Sequence, residues 1–436
     1  MPAPGARTMS DRRRISRRTF LESAALGAGA LTLGGNRTLA GQFLSPVLPD
    51  PAQSGIDHVV LVMMENRSFD HMLGWLPGAD GRQAGLTYVD SAGVPHDTHA
   101  LAPDYQGCGH PDPDHSYEGG RVEYDVGNCD GWLRAGQNDD YAIGYYGTND
   151  LPFLARAATD WTACDRYFAA IMGPTFPNRM YQHAAQTDRL SNTFDLSTLP
   201  TIWDRLADAG LTGRYYFQDA PFLGLWGAKY IPIGRNIRSF FLACQTGRLP
   251  HVSYVDPRFI EELTGTTNDD HPHADVRNGQ ALMNQIYDAV TRSPAWKRML
   301  LVINYDEWGG FFDHVPPQRA PIPPATRAAG DRDGLRGFRV PCLVISPFAQ
   351  LQLVSHDVFD HTSVLRFIEW RFGLQPLTKR DRTANNLADV LDFSRRDRTA
   401  PSYDVPPGPF GTPCPSSEAN PWIVVREIAR SFGWTV

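Results

Sequence analysis

No stretch of the 436 residues reaches the roughly 20 consecutive apolar residues that a membrane-spanning helix requires, so a stable membrane anchor is not expected. Basic charge is also short, with 41 Lys and Arg against 48 Asp and Glu for a formal net charge of −7. Residues 1–40 carry seven Arg against Asp11 and Glu22, a net of +5, which leaves −12 on the remainder. A chain this acidic is a poor general binder of nucleic acid. The six cysteines, at 108, 129, 164, 244, 342 and 414, include no Cys-x-x-Cys spacing, which argues against a structural zinc site or a thioredoxin-type redox motif. Internal repeats, coiled-coil heptads and low-complexity blocks are missing as well.

What is present is a globular composition, 42% hydrophobic and 20% charged, with 39 Gly and 35 Pro that predict long loops. The amino terminus has a different character. Arg12, Arg13 and Arg14 precede Ser16-Arg17-Arg18-Thr19-Phe20-Leu21, an uncharged small-residue run from Ala24 to Leu33 follows, and Thr38-Leu39-Ala40 offers a cleavage region. This is the pattern of a twin-arginine export signal. It predicts a signal peptide over residues 1–40, the twin-arginine machinery as a partner, and a periplasmic or secreted product comprising residues 41–436 as one domain. Export permits disulfides. Cys108 and Cys129 form one candidate pair, although six cysteines allow fifteen full connectivities.

Four short apolar runs end at polar residues and read as buried strands: Ile56 to Met64, Tyr167 to Met172, Met299 to Asn304 and Val340 to Ser346. Helical patterns lie between and after them, at Thr201 to Ala209, Asp275 to Arg292, Thr362 to Phe372 and Pro421 to Phe432. The alternation predicts an α/β fold, a largely parallel sheet with helices on both faces, whose ligands gather beyond the carboxyl ends of the strands. Residues 78–150 and 314–339 read as long surface insertions that wall or cover the site, and 379–417 as a similar polar stretch before the final helix.

Three clusters carry candidate chemistry. Glu65-Asn66 leaves the first apolar run together and can offer oxygen ligands to a hard cation, or can simply form a capped turn. Gly173-Pro174-Thr175 places a hydroxyl that metal coordination would activate, beside backbone donors if a helix starts there; a Pro-stiffened turn is the plainer reading. Asp306-Glu307 sets two carboxylates side by side, costly to keep ionised unless a cation lies between them, or simply forms a solvated acidic turn, and the following Gly309-Gly310 permits a tight turn. His115, His271, His273 and His361 are further candidates for phosphate contact or proton donation, with a surface or structural role the plainer reading of any one of them taken alone.

These clusters, in this order, resemble the bacterial phosphoesterase family that contains phospholipases C and certain acid phosphatases, within the alkaline phosphatase superfamily. The resemblance spans about residues 55–375 and is carried by Glu65-Asn66-Arg67-Ser68-Phe69-Asp70-His71, Gly173-Pro174-Thr175 with Pro177-Asn178-Arg179, and Asp269-Asp270-His271-Pro272. Tyr305-Asp306-Glu307 with Gly309-Gly310-Phe311 and Phe359-Asp360-His361-Thr362 complete it. It implies an alkaline-phosphatase-like sandwich, Glu65, Asn66, Thr175, Asp306 and Glu307 as ligands of a divalent metal, and Thr175 as nucleophile. His115 and His271 match the histidines that surround phosphate where a second metal is lacking. The ion is left open among calcium, magnesium, manganese and zinc.

The function so implied is an exported phospholipase C that converts phosphatidylcholine-like phosphodiesters to diacylglycerol and a phosphorylated head group through a phosphothreonine intermediate. An acid-phosphatase-type phosphomonoesterase is the alternative. A non-catalytic exported protein that binds phosphate or metal is a third reading, opposed by the intact ligand set. Family phospholipases usually carry carboxyl-terminal β domains, and no such segment follows here, which leaves the lipid preference open. Trp75, Trp132, Tyr141, Tyr145, Tyr146 and Trp308 stand near the motifs as aromatic candidates for a choline pocket, or as packing residues.

Overall fold

The structure, a computed structural model, describes residues 48–260, 265–397, 399–414 and 420–436. The expected export segment, residues 1–40, lies outside them.

Eight strands form the central sheet: β1 His58–Met64, β2 Thr162–Cys164, β3 Gly213–Phe217, β4 Gly234–Asn236, β5 Val252–Val255, β6 Met299–Tyr305, β7 Cys342–Ile345 and β8 Val354–Ser355. Their order across the sheet is β8-β2-β7-β6-β1-β5-β3-β4. All pairings are parallel except those that β7 makes, antiparallel to β6 and β2. This is the mainly parallel α/β arrangement flanked by helices that the sequence implies. The central strands are Val-, Ile- and Leu-rich and almost wholly buried, as a sheet covered on both faces requires.

The helices follow their local signals. Ile202–Asp208 is capped by Thr201 in a reciprocal box with Asp204, and His361–Phe372 by Asp360 with Ser363, stopping at left-handed Gly373. Val276–Thr291 starts at Asp275, and Pro421–Ser431 starts at Asn420 with Pro in the first turn. Among the described residues no helix is long and apolar enough to cross a membrane.

Two expectations are corrected. Tyr167 to Met172 is not one strand: only Tyr167–Phe168 pairs, with Phe359–Asp360, and the rest is held by the loop at 335–338, for example Ala169 N–H to Phe338 O at 3.0 Å. Its apolarity reflects burial under that loop rather than a place in the sheet. The disulfide joins Cys108 to Cys414, and Cys129 is a buried free thiol. Cys129 packs with Trp132, Trp308 and Phe338 in a second apolar cluster, while the carboxyl-terminal segment returns to Cys108, with Gln106 Nε2 donating to Thr412 O at 2.5 Å. The 78–150 insertion is more ordered than its composition suggests: it holds the pairs Thr87–Val89 with Pro95–Asp97 and His99–Ala100 with Gly144–Tyr145, and the helix Gly119–Tyr124.

Candidate functional site

β1 and β6 pair in register up to Met64 and Tyr305, so the residues after them leave the sheet side by side. Asp306 N–H donates to Met64 O, Asn66 N–H to Asp306 Oδ1 and Arg67 N–H to Glu307 O, each at 3.1 Å. Asp306 Oδ1 also accepts from Glu307 N–H at 2.7 Å. The crossing is tight. Asn66 takes a left-handed φ of 59°, which Asn tolerates, and Gly309 sits at φ 65° where a Cβ would lie 2.1 Å from Asn66 O.

Thr175 opens the helix Thr175–Ala184, as its sequence context suggests, and is buried. Its hydroxyl donates to Asn66 Oδ1 at 3.4 Å. Asn178 fixes the turn that presents it: its Oδ1 accepts from Ile171 N–H at 3.0 Å and its amide donates to Gly173 O at 2.7 Å and Pro174 O at 3.2 Å. One turn after Thr175, buried Arg179 lies between three carboxylates, 3.2 Å from Glu65 Oε1, 3.1 Å from Asp256 Oδ1 and 3.2 Å from Asp306 Oδ2. Glu65 Oε2 accepts from Trp422 Nε1 at 3.3 Å, so the carboxyl-terminal helix reaches the site.

Thus Asn66, Thr175, Asp306 and Glu307 are gathered directly, and Glu65 joins them through Arg179. His115 Nε2 stands 3.3 Å from Asn66 Nδ2 and 3.7 Å from Glu307 Oε1. His271 lies beside it, ring centroids 6.2 Å apart, with Asp112 completing the group. Burial lowers the His115 pKa, but Glu307 and Asp112 outweigh it and raise it to about 9. Burial takes His271 down to about 4, with Asp112 opposing. Burial pushes both Asp306 and Glu307 upward, against Arg179 for the first and His115 for the second.

These residues fit a divalent metal. Glu65, Asp256, Asp306 and Glu307 are all buried while Arg179 pairs with three of them, a local negative excess that a bound cation would offset. Glu307 Oε1 accepts no hydrogen bond, and Asn66 Oδ1 and Thr175 Oγ1 add neutral oxygens suited to a hard ion.

Other candidates have structural duties. His361 contacts Asp306 O through Nε2 at 2.6 Å and the Tyr167 hydroxyl through Nδ1 at 3.3 Å, bracing the acidic turn. His273 Nε2 contacts His110 O at 2.9 Å. Trp132, Tyr141, Tyr146 and Trp308 are interior, and Trp308 Nε1 donates to Glu123 Oε2 at 2.7 Å. A cavity of about 460 Å³ bordered by Asp57, His58, His251 and Arg298 opens at the amino ends of the strands, remote from Thr175. Sequence reasoning assigned no role to Arg179, Trp422 or Asp112. Arg179 carried a signal, its i+4 spacing from Thr175 on one helix face; Trp422 carried none, because it arrives from the other end of the chain.

A phosphoesterase family model matches residues 56–375. Non-specific phospholipase C3 of Arabidopsis thaliana is 32% identical over 406 residues, covering 81% of this chain and 76% of that protein. Phospholipase C B of Mycobacterium tuberculosis is 32% identical over 462 residues, covering 87% and 86%. Among solved structures, a phosphonate monoester hydrolase of Agrobacterium radiobacter covers 77% of each chain at 10% identity and a TM-score of 0.38.

Proposed function

Because the chain belongs to the phosphoesterase family and is a phosphoric-ester hydrolase, we propose that it is a metal-dependent phospholipase C acting on phosphatidylcholine-like phosphodiesters. The observation that carries this reading is the hydroxyl of Thr175, held at a helix start against Asn66, whose backbone N–H in turn donates to Asp306. Relatives named as phospholipases C favour the diester over the monoester. The proposal includes a single catalytic domain over residues 41–436 and export by the twin-arginine machinery to the periplasm or medium.

A divalent cation held by Glu65, Asn66, Thr175, Asp306 and Glu307 would lower the pKa of a bound hydroxyl and offset phosphoryl charge. Arg179 and Asn178 keep Thr175 in place. Thr175 Oγ attacks phosphorus in line, the Thr–phosphorus bond forms, and the bond from phosphorus to the glycerol oxygen breaks. That oxygen leaves as a basic alkoxide and gains the proton that Thr175 Oγ gives up on attack, passed on the side bearing His115 and His271. Water then cleaves the phosphothreonyl ester, releasing phosphocholine and returning the proton to Thr175.

The test is incubation of metal-replete mature protein with phosphatidylcholine, with Thr175→Ala as the blank. Phosphocholine that disappears in the variant supports the reading. Its absence, with orthophosphate released from a simple monoester, moves the assignment to a phosphomonoesterase.

A further inference from the structure

The helix Gly119–Tyr124 packs on the segments that lead into and out of the candidate site. Arg121 Nη1 donates to Met172 O at 3.2 Å, and a Cβ on Gly120 would lie 2.8 Å from both Met172 and Trp308. Met172 precedes the turn that presents Thr175, and Trp308 follows Glu307. The outer end of this helix has another character. Asp125, Val126 and Cys129 take left-handed φ of 37°, 56° and 55°. Asp tolerates that region, but a β-branched residue there is strained. Cys129 is buried in the second apolar cluster, whereas Val126 is 91% exposed, so no packing of its side chain offsets the strain. Asn or Gly would suit a purely solvated turn at this position, and a strained, bare valine points to a contact outside the chain. Four of the ten large hydrophobic side chains exposed among the described residues, Val89, Val94, Val122 and Val126, fall in the 78–150 insertion.

We propose that Val122 and Val126 dock the protein on a zwitterionic, choline-bearing lipid surface, with Val126 entering the boundary between head groups and acyl chains. The inference rests on the phospholipase C reading and deepens it: a diacyl substrate sits in a bilayer, and this tip ends the helix that borders the Thr175 turn. Charge selects the kind of surface. The 78–150 insertion carries thirteen Asp and Glu against three Arg and no Lys, so anionic lipid would repel it. A phosphatidylcholine surface instead presents ammonium groups outermost over an apolar interior, which suits an apolar tip set in an acidic surround. The two acids nearest the tip are partly neutralised, since Arg134 Nη2 lies 3.1 Å from Asp125 Oδ2 and 2.7 Å from Asp130 Oδ1. Two valines give weak, reversible attachment, which lets the enzyme leave the surface again.

The test measures co-sedimentation of mature protein with sucrose-loaded phosphatidylcholine vesicles, in a Thr175→Ala background so that the lipid survives. Adding Val126→Asp should weaken partitioning about tenfold or more, the loss of one buried valine. Asp suits a left-handed φ, so this variant should keep its fold, which thermal unfolding checks. With Thr175 restored, Val126→Asp should lose hydrolysis of vesicles in the same proportion and cleave monomeric short-chain phosphatidylcholine as fast as the parent. Val126→Cys carrying a polarity-sensitive dye gives a second readout, because Cys129, Cys164, Cys244 and Cys342 are buried and leave the new thiol to take the label. Its emission should shift to the blue when phosphatidylcholine vesicles are added. Equal partitioning with and without Val126→Asp, an unshifted dye, or tighter binding to phosphatidylglycerol vesicles overturns the proposal. So does a dye shift that grows with protein concentration in the absence of lipid, which would make the tip a contact between copies of this chain. Cleavage of phosphatidylcholine without these effects removes the docking and leaves the proposed function standing. Failure to cleave either form removes the phospholipase reading, while the partitioning still decides the docking.

Discussion

Arg179 Nε donates to Asp306 Oδ2 at 3.2 Å, and this one guanidinium also touches Glu65 and Asp256. The same helix turn therefore carries the candidate nucleophile and the cation that holds the acidic strand ends together. A planar fork meets three carboxylates in a way that a single ammonium cannot. Arg179→Met should thus cost about 3–5 kcal/mol, the penalty for leaving buried charge unpaired. Arg179→Lys should recover only part of it. Thermal or urea unfolding measures both, and unchanged stability in Arg179→Met would contradict the pairing.

Thr175→Ala should fold normally and lose on the order of 10³-fold or more in turnover, as loss of a covalent nucleophile does. Thr175→Ser keeps a hydroxyl and should retain most of it. Rapid-quench detection of phosphorylated protein checks the same point, since the label should be absent from Thr175→Ala.

Much of this site was legible in the sequence because its parts are local. A strand that ends in Glu-Asn, a second that ends in Asp-Glu, and a Pro-Thr at a helix start each announce themselves within a few residues. Register did the rest: Met64 opposite Tyr305 carries both acidic turns to one place. Long-range pairings were not legible. Cys414 reaches Cys108 across 306 residues, and Trp422 reaches Glu65 across 357, with nothing in the neighbourhood of either to signal its partner. The strands Gly213–Phe217 and Val252–Val255 were missed because they are short, and a brief apolar run there has no period to separate strand from helix.

Removal of the metal should destabilise the fold as well as stop hydrolysis. Without a cation the buried carboxyl groups of Asp306 and Glu307 are pushed toward their protonated forms by burial. An ion at 100 times its dissociation constant adds about 2.7 kcal/mol. Chelation should therefore lower the unfolding temperature, and adding the divalent ion back should restore it. A chelated protein that melts at the original temperature would mean that these carboxylates hold no stabilising ion.

Gly309 and Gly210 both take left-handed φ, 65° and 69°, but only Gly309 faces a neighbour. A Cβ there would lie 2.1 Å from Asn66 O, while at Gly210 it would meet nothing within 4 Å. Gly210→Ala should cost only the backbone strain, about 1–2 kcal/mol. Gly309→Ala must in addition displace Asn66, so it should lose clearly more stability and most of its activity. Equal unfolding free energies for the two variants would show that the crossing tolerates a methyl group.

His314 gives a pH dependence away from the candidate nucleophile. Its Nδ1 is 2.5 Å from Asp70 Oδ2 and its Nε2 is 3.2 Å from Asp80 Oδ1, so both nitrogens face carboxylates and the imidazolium is the favoured form. Asp313 and Arg339 complete its surroundings. Burial acts to lower its pKa, but Asp70 by hydrogen bond and charge, with Asp313, raises it overall despite Arg339. The folded pKa therefore exceeds the unfolded value of about 6.5, so the stabilisation is complete below that value and is lost as pH rises through the folded pKa. The arm to Asp80, whose side chain is 40% exposed, adds little; the arm to buried Asp70 is worth about 1.5–3 kcal/mol. His314→Gln should accordingly melt several degrees below the wild type at pH 6, and the gap should narrow by pH 9. A gap that stays constant across that range would mean that His314 is held as the neutral ring.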